Sequence, residues 1–87
     1  LRLVYMDDSE IKLTAKEYSL LEYLTQNIGK VVAAEELILH IWGEQDALFS
    51  NSVRTQISYL RTKLRKAGVT NPVIVTTVNI GYTLVIE

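Results

Sequence analysis

The 87-residue chain contains no cysteine. Disulfides, thiolate metal sites and thiol nucleophiles are excluded, and redox compartment leaves no trace. His40 is the only histidine. It has no second histidine or thiol to share a metal with, so a packed or surface histidine is its ordinary role. No apolar run approaches the ~20 residues of a membrane span, and no signal peptide is visible. There is no phosphate-binding glycine loop, no thiol and no second histidine, which leaves catalysis without a candidate constellation. Asp7, Asp8 and Glu10 cluster near the start. No further oxygen ligands follow at calcium-loop spacing, so they read as a solvated turn. No metal ligand, catalytic residue or cofactor is expected. The chain opens on Leu1 rather than Met, as a piece of a longer protein would.

Two local absences carry more information. No acid occurs between Ser50 and Gly68, and no charged residue at all between Val69 and Ile86. The net charge of −1 hides this partition. Residues 50–68 hold five bases, whereas the remainder holds four bases and ten acids. A chain of this length makes one domain, and 48% hydrophobic residues suffice for a modest core.

The stretch 50–68, SNSVRTQISYLRTKLRKAG, is predicted as one helix with two opposed faces. Val53, Ile57, Leu60 and Leu64 recur at spacings of four, three and four, which stacks them in one stripe. Asn51, Thr55, Ser58 and Thr62 fall on the far side, flanked by Arg54 and Arg61. The stripe docks the helix on a core. The small, polar, cationic back suits a DNA major groove, although an amphipathic surface helix with a solvated basic face meets the same pattern. Ser50 or Asn51 is placed to cap it, and Gly68 to close it.

The other segments arrange themselves around this helix. Residues 1–13 form a β-hairpin, with Leu3 and Tyr5 alternating against Arg2 and Val4, and Ile11 and Leu13 against Lys12. Thr14 and Glu17 make a capping box for a first helix whose apolar stripe is Tyr18, Leu21 and Leu24, widened by Leu20 and Ile28. Gly29 is suited to its left-handed end. Val31 and Val32 are an extended link. Ala33 to Trp42 is a short second helix with inner residues Leu37, Ile38 and Ile41 and no capping side chain at its start. Trp42 could join the core or lie on a sugar-phosphate backbone. Residues 43–49, GEQDALF, form a loop. Val73 to Ile86 is a second hairpin turned at Asn79-Ile80-Gly81. The fold class is therefore α+β: a winged helix-turn-helix of three helices, with an N-terminal β-hairpin and a C-terminal β-hairpin wing.

Five blocks make the chain resemble the C-terminal winged-helix effector domain of OmpR/PhoB-type response regulators. They are L-T-A-K-E-Y-S-L-L-E-Y-L at 13–24, N-I-G-K-V-V at 27–32, E-E-L-I-L-H-I-W-G at 35–43, V-R-T-Q-I-S-Y-L-R-T-K-L at 53–64 and T-V-N-I-G-Y at 77–82. The resemblance implies a four-stranded N-terminal sheet, of which two strands are legible here. It implies a cytoplasmic protein with no membrane segment that binds double-stranded DNA sequence-specifically and regulates transcription. Two copies would bind tandem direct repeats, as a homodimer on DNA. Loop 43–49 would touch RNA polymerase. A sensor histidine kinase would act on a receiver domain that these residues do not include. A one-component regulator, or a winged helix used for protein contacts, are the alternatives.

Site residues carry over from the same resemblance. Thr55 and Tyr59 match base-reading positions. Asn51, Ser52, Gln56, Ser58 and Arg61 match phosphate contacts or base-flanking positions, and Trp42, Thr77 and Tyr82 match backbone contacts. Arg54 stands where the family is often acidic and adds a cation at the groove face; Lys63 adds another. The wing departs from the family pattern T-V-R-G-x-G-Y. It is one residue shorter and has Asn79 but no arginine. Asn79 can donate a hydrogen bond, yet it cannot supply the charge attraction of a narrow minor groove.

Overall fold

The computed structural model describes residues 2–6, 8–43 and 50–86. Strands β1 (Arg2–Met6) and β2 (Ser9–Leu13) form the first hairpin. Helix α1 spans Ala15–Gln26, and strand β3 is the pair Val32–Ala33. Helix α2 (Ala34–Leu37) runs into a π-helical segment, Ile38–Trp42. Helix α3 covers Ser50–Lys66. Strands β4 (Val73–Thr77) and β5 (Gly81–Val85) make the wing. A three-stranded sheet has the order β3-β5-β4, and β1-β2 stands as a separate pair. The expected loop beyond Gly43 and the expected Ser50 or Asn51 cap lie outside the described residues and side chains.

The core is the place where the stripes meet. Val53, Ile57, Leu60 and Leu64 are all buried, as are Leu20, Leu21 and Leu24 of α1, Leu37 and Ile38, and Ile74, Tyr82 and Leu84 of the wing. Each aliphatic side chain of the α3 stripe stabilises the fold by at most ~1.5–3 kcal/mol. The capping box is formed: the Thr14 hydroxyl accepts from the Glu17 amide at 3.2 Å, and the Thr14 N–H donates to Glu17 Oε1 at 2.8 Å. Ile28 falls past the last turn of α1 and is exposed, so it does not widen the stripe.

Three features depart from the local pattern. Leu3 and Tyr5 face solvent, because the register pairs Val4 with the buried Ile11; Val4 and Met6 pack inward instead. The second helix is not uniformly α-helical. Ala33 gives it no side-chain cap, and its last turn widens until the Gly43 N–H bonds the Ile38 carbonyl at 3.0 Å. Gly81 belongs to β5 rather than to the turn, which is made by Val78, Asn79 and Ile80. Asn79 adopts φ 64° there. Gly81 is required by close packing. A Cβ on it would lie 2.0 Å from the Val32 carbonyl oxygen of β3.

Glu17 has a second task. It is 2% exposed, and Lys63 of α3 donates to its Oε1 at 2.5 Å. Burial raises the pKa of its carboxyl. The Lys63 ammonium and the Thr14 hydrogen bonds outweigh that effect and hold it below the ordinary carboxylate value. One carboxylate thus caps α1 and ties it to α3.

Two outcomes follow for stability. Gly81→Ala forces β3 away from β5 and lowers the unfolding free energy by about 1–3 kcal/mol, measured by urea denaturation; an unchanged midpoint would contradict the close approach. The Glu17 carboxyl has a depressed pKa in the fold, so its contribution is present above the ordinary value of about 4.5 and is lost as pH falls through the lower folded value. Glu17→Gln removes about 1–3 kcal/mol near neutrality. It also flattens the acid limb of a stability-against-pH profile; an equally steep limb in the variant would contradict the assignment.

Candidate nucleic-acid interface

Helix α3 builds the site because its roll is fixed. The buried stripe sets which face looks inward, and two cations then hold the flanks. On one flank Lys63 bonds Glu17. On the other, Arg61 reaches the wing. Its Nε and Nη2 donate to the Ile74 carbonyl at 3.1 and 2.8 Å, and Nη2 donates to Thr76 Oγ1 at 2.6 Å. Arg61 satisfies a mid-strand carbonyl on the outer side of β4 and joins helix and wing with charge-assisted bonds.

Arg54, Thr55, Ser58 and Tyr59 are exposed together on the outward face of α3, with Tyr59 at 55%. Arg54 forms no ion pair or hydrogen bond among the described residues. Arg65 and Lys66 are exposed in the last turn, where they also complement the helix dipole. The cationic face is thus divided. Arg54, Arg65 and Lys66 are available to a partner, whereas Arg61 and Lys63 are engaged within the fold.

The remaining expected site residues distribute unevenly. Thr77 is half-buried at the end of β4 and Asn79 is exposed in the turn. Tyr82 is a core residue, 8% exposed, paired with Val32 on one side and Thr76 on the other. Gln56 is half-buried, and its side-chain carbonyl oxygen is enclosed and meets no donor among the described residues. The side chains of Asn51 and Ser52 lie outside the described part. Trp42 packs partly on the core, and the Lys16 ammonium stands 4.8 Å from its ring centroid. His40 lies apart, exposed, with its ring centroid 4.2 Å from that of Tyr23, whose hydroxyl donates to Glu36.

Lys16 and Thr76 join this surface without any mark in the sequence, through Trp42 and Arg61 respectively. Lys16 sits two positions past a capping threonine and shows no local signal; only the fold brings it to Trp42. Thr76 is one of two threonines in a strand, and only its bond to Arg61 distinguishes it. A depression of about 450 Å³ opens between α2, the first half of α3 and the wing, with Arg54 on one wall and Thr76, Thr77, Asn79 and Tyr82 on another. Among the described residues no three His, Cys, Asp or Glu side chains converge as a metal site, and no helix is long and apolar enough to cross a membrane.

Comparison with known proteins agrees with this geometry. Residues 8–84 match the family described as transcriptional regulatory protein, C terminal. The transcriptional regulatory protein CutR of Streptomyces coelicolor is 41% identical over 81 residues, covering 93% of this chain and 36% of CutR. The response regulator ArlR of Staphylococcus aureus is 39% identical over 62 residues, covering 71% of this chain and 28% of ArlR. The chain therefore spans about a third of the length of such relatives. The DNA-binding domain of the response regulator AdeR, solved in complex with an intercistronic region, superposes with a TM-score of 0.84 at 25% identity, over 98% of this chain and 86% of that one. The DNA-binding domain of Bacillus subtilis CssR gives 0.82 at 26% identity, over 95% and 90%. The chain belongs to the C-terminal family of transcriptional regulatory proteins and is an OmpR/PhoB-type winged-helix effector domain.

Proposed function

We propose that this domain binds double-stranded DNA sequence-specifically and regulates transcription as the output domain of a two-component response regulator. The observation that carries the reading is the exposed face of α3. Its small polar residues and free cation are held outward by a stripe, an ion pair and a tie to the wing. Thr55, Ser58 and Tyr59 are the base-reading candidates. Arg65 and Lys66 are suited to phosphates. Trp42 with Lys16 offers a flat ring and a charge to the sugar-phosphate backbone. Arg61 and Lys63 act at one remove, by fixing the pose.

The longer relatives support a parent chain with a receiver domain addressed by a sensor histidine kinase, acting in the cytoplasm. Two copies on tandem direct repeats, and an RNA polymerase contact through loop 43–49, complete the proposal. A protein-contact role for the winged helix has one observation in its favour. Val78 and Ile80 at the wing tip are 75% and 57% exposed, and no charge accompanies them.

Fluorescence anisotropy with a random duplex separates the two readings. The DNA-binding reading expects salt-sensitive association that strengthens as ionic strength falls. No association at low salt favours the protein-contact reading. Selection from a random duplex pool then tests the base readers. Thr55→Ala or Tyr59→Ala shifts the preferred base at one position of the site, by about 1–3 kcal/mol of discrimination. Unchanged site ranking in both variants would remove them from base reading.

A further inference from the structure

We infer that Arg54 anchors one backbone phosphate of the duplex in the depression between α3 and the wing, replacing from the helix the cation that the wing lacks. This rests on the DNA-binding reading and adds to it the ligand group of one particular subsite.

Arg54 and Arg61 are seven residues apart, so they lie on the same flank of α3 within about 20°. Arg61 shows where that flank leads: its guanidinium meets the wing, at the Ile74 carbonyl and the Thr76 hydroxyl. Two turns earlier, Arg54 stands against the end of β4 and the turn, where it lines the depression with Thr76, Thr77, Asn79 and Tyr82. No strand carbonyl takes its guanidinium there. It remains exposed and unpaired among the described residues.

The wall opposite is rich in neutral polar groups. Thr77 and Tyr82 contribute hydroxyls and Asn79 an amide. The ring of Tyr82 is buried, yet its hydroxyl is neither enclosed nor bonded among the described residues. Among the described residues Glu35 is the one acid on the rim, and it forms no ion pair with Arg54. Among the described residues the result is a concave site with one free cation and several neutral donors, suited to a singly charged diester.

Position selects the phosphate over a base edge. A helix in the major groove and a wing at the neighbouring minor groove straddle one sugar-phosphate strand. The depression lies between helix and wing, so that strand crosses it. Thr55 occupies the most outward line of α3, a hundred degrees further round than Arg54, and is the better placed of the two for the groove floor.

The salt dependence of duplex binding by this chain tests the assignment, with Arg54→Ala and Arg54→Lys as variants. Arg54 is exposed, so the core and the thermal melt should survive both changes. Arg54→Ala is expected to reduce the log–log salt slope by about 0.9, one phosphate's worth, with the site ranking from a random pool unchanged. Arg54→Lys keeps the slope. A scan of single uncharged methylphosphonate linkages should find one linkage per half-site that weakens the wild type roughly tenfold and leaves Arg54→Ala unaffected. An unchanged slope in Arg54→Ala overturns the proposal. So does a lost base preference at one position with the slope kept, which would make Arg54 a base reader. If the wild type binds no duplex at low salt, the DNA-binding reading itself fails and this subsite with it.

Discussion

Helix α3 cannot roll about its axis, and every functional feature of the surface depends on that. The stripe of Val53, Ile57, Leu60 and Leu64 sets its orientation coarsely, since a stripe of this width tolerates some rotation. The flanks remove the remaining freedom. Lys63 holds one side to Glu17, which simultaneously caps α1. Arg61 holds the other to β4 through two backbone bonds and one hydroxyl. Rolling the helix in either direction breaks one charge-assisted tie and exposes apolar surface. Thr55, Ser58 and Tyr59 are left outward because nothing else can be.

Local periodicity made most of this architecture legible. The four-three-four spacing of α3, the Thr14–Glu17 box and the β-branched run of β4 each act within a few residues, where sequence and structure are tightly coupled. Apart from the end of α1 and the widened turn of the second helix, the failures involve distance or symmetry. β1 offers apolar residues on both faces, and only its register with β2 decides that Val4 rather than Tyr5 turns inward. Gly81 looks like a turn glycine, but its need arises from Val32, which the chain reaches only through the β3–β5 pairing. The cations of α3 look alike in sequence. Their partners lie 13 and 46 residues away for Arg61 and Lys63, and no local pattern separates those two from Arg54.

That separation alters how the charge of the domain is understood. Five bases on one helix suggest a broad phosphate-binding face, yet two of them are engaged within the protein. The wing supplies none, since residues 69–86 carry no charge. Electrostatic attraction is therefore concentrated on α3 at its two ends, with Arg54 near the start and Arg65 and Lys66 near the finish. A domain built this way presents few free cations, so the attraction it exerts on a polyanion should be modest and local. The partly buried Trp42, with the Lys16 ammonium over its ring, belongs to the π-helical turn and not to α3.

The most direct measurement is the change in amide resonances as duplex DNA is titrated into the labelled domain. The fixed roll of α3 predicts shifts concentrated on Arg54, Thr55, Ser58 and Tyr59 and on the wing turn at Val78 to Ile80, with the outer face of β1 undisturbed. Shifts centred on Leu3 and Tyr5, or on the exposed side of α1, with α3 unmoved, would contradict it.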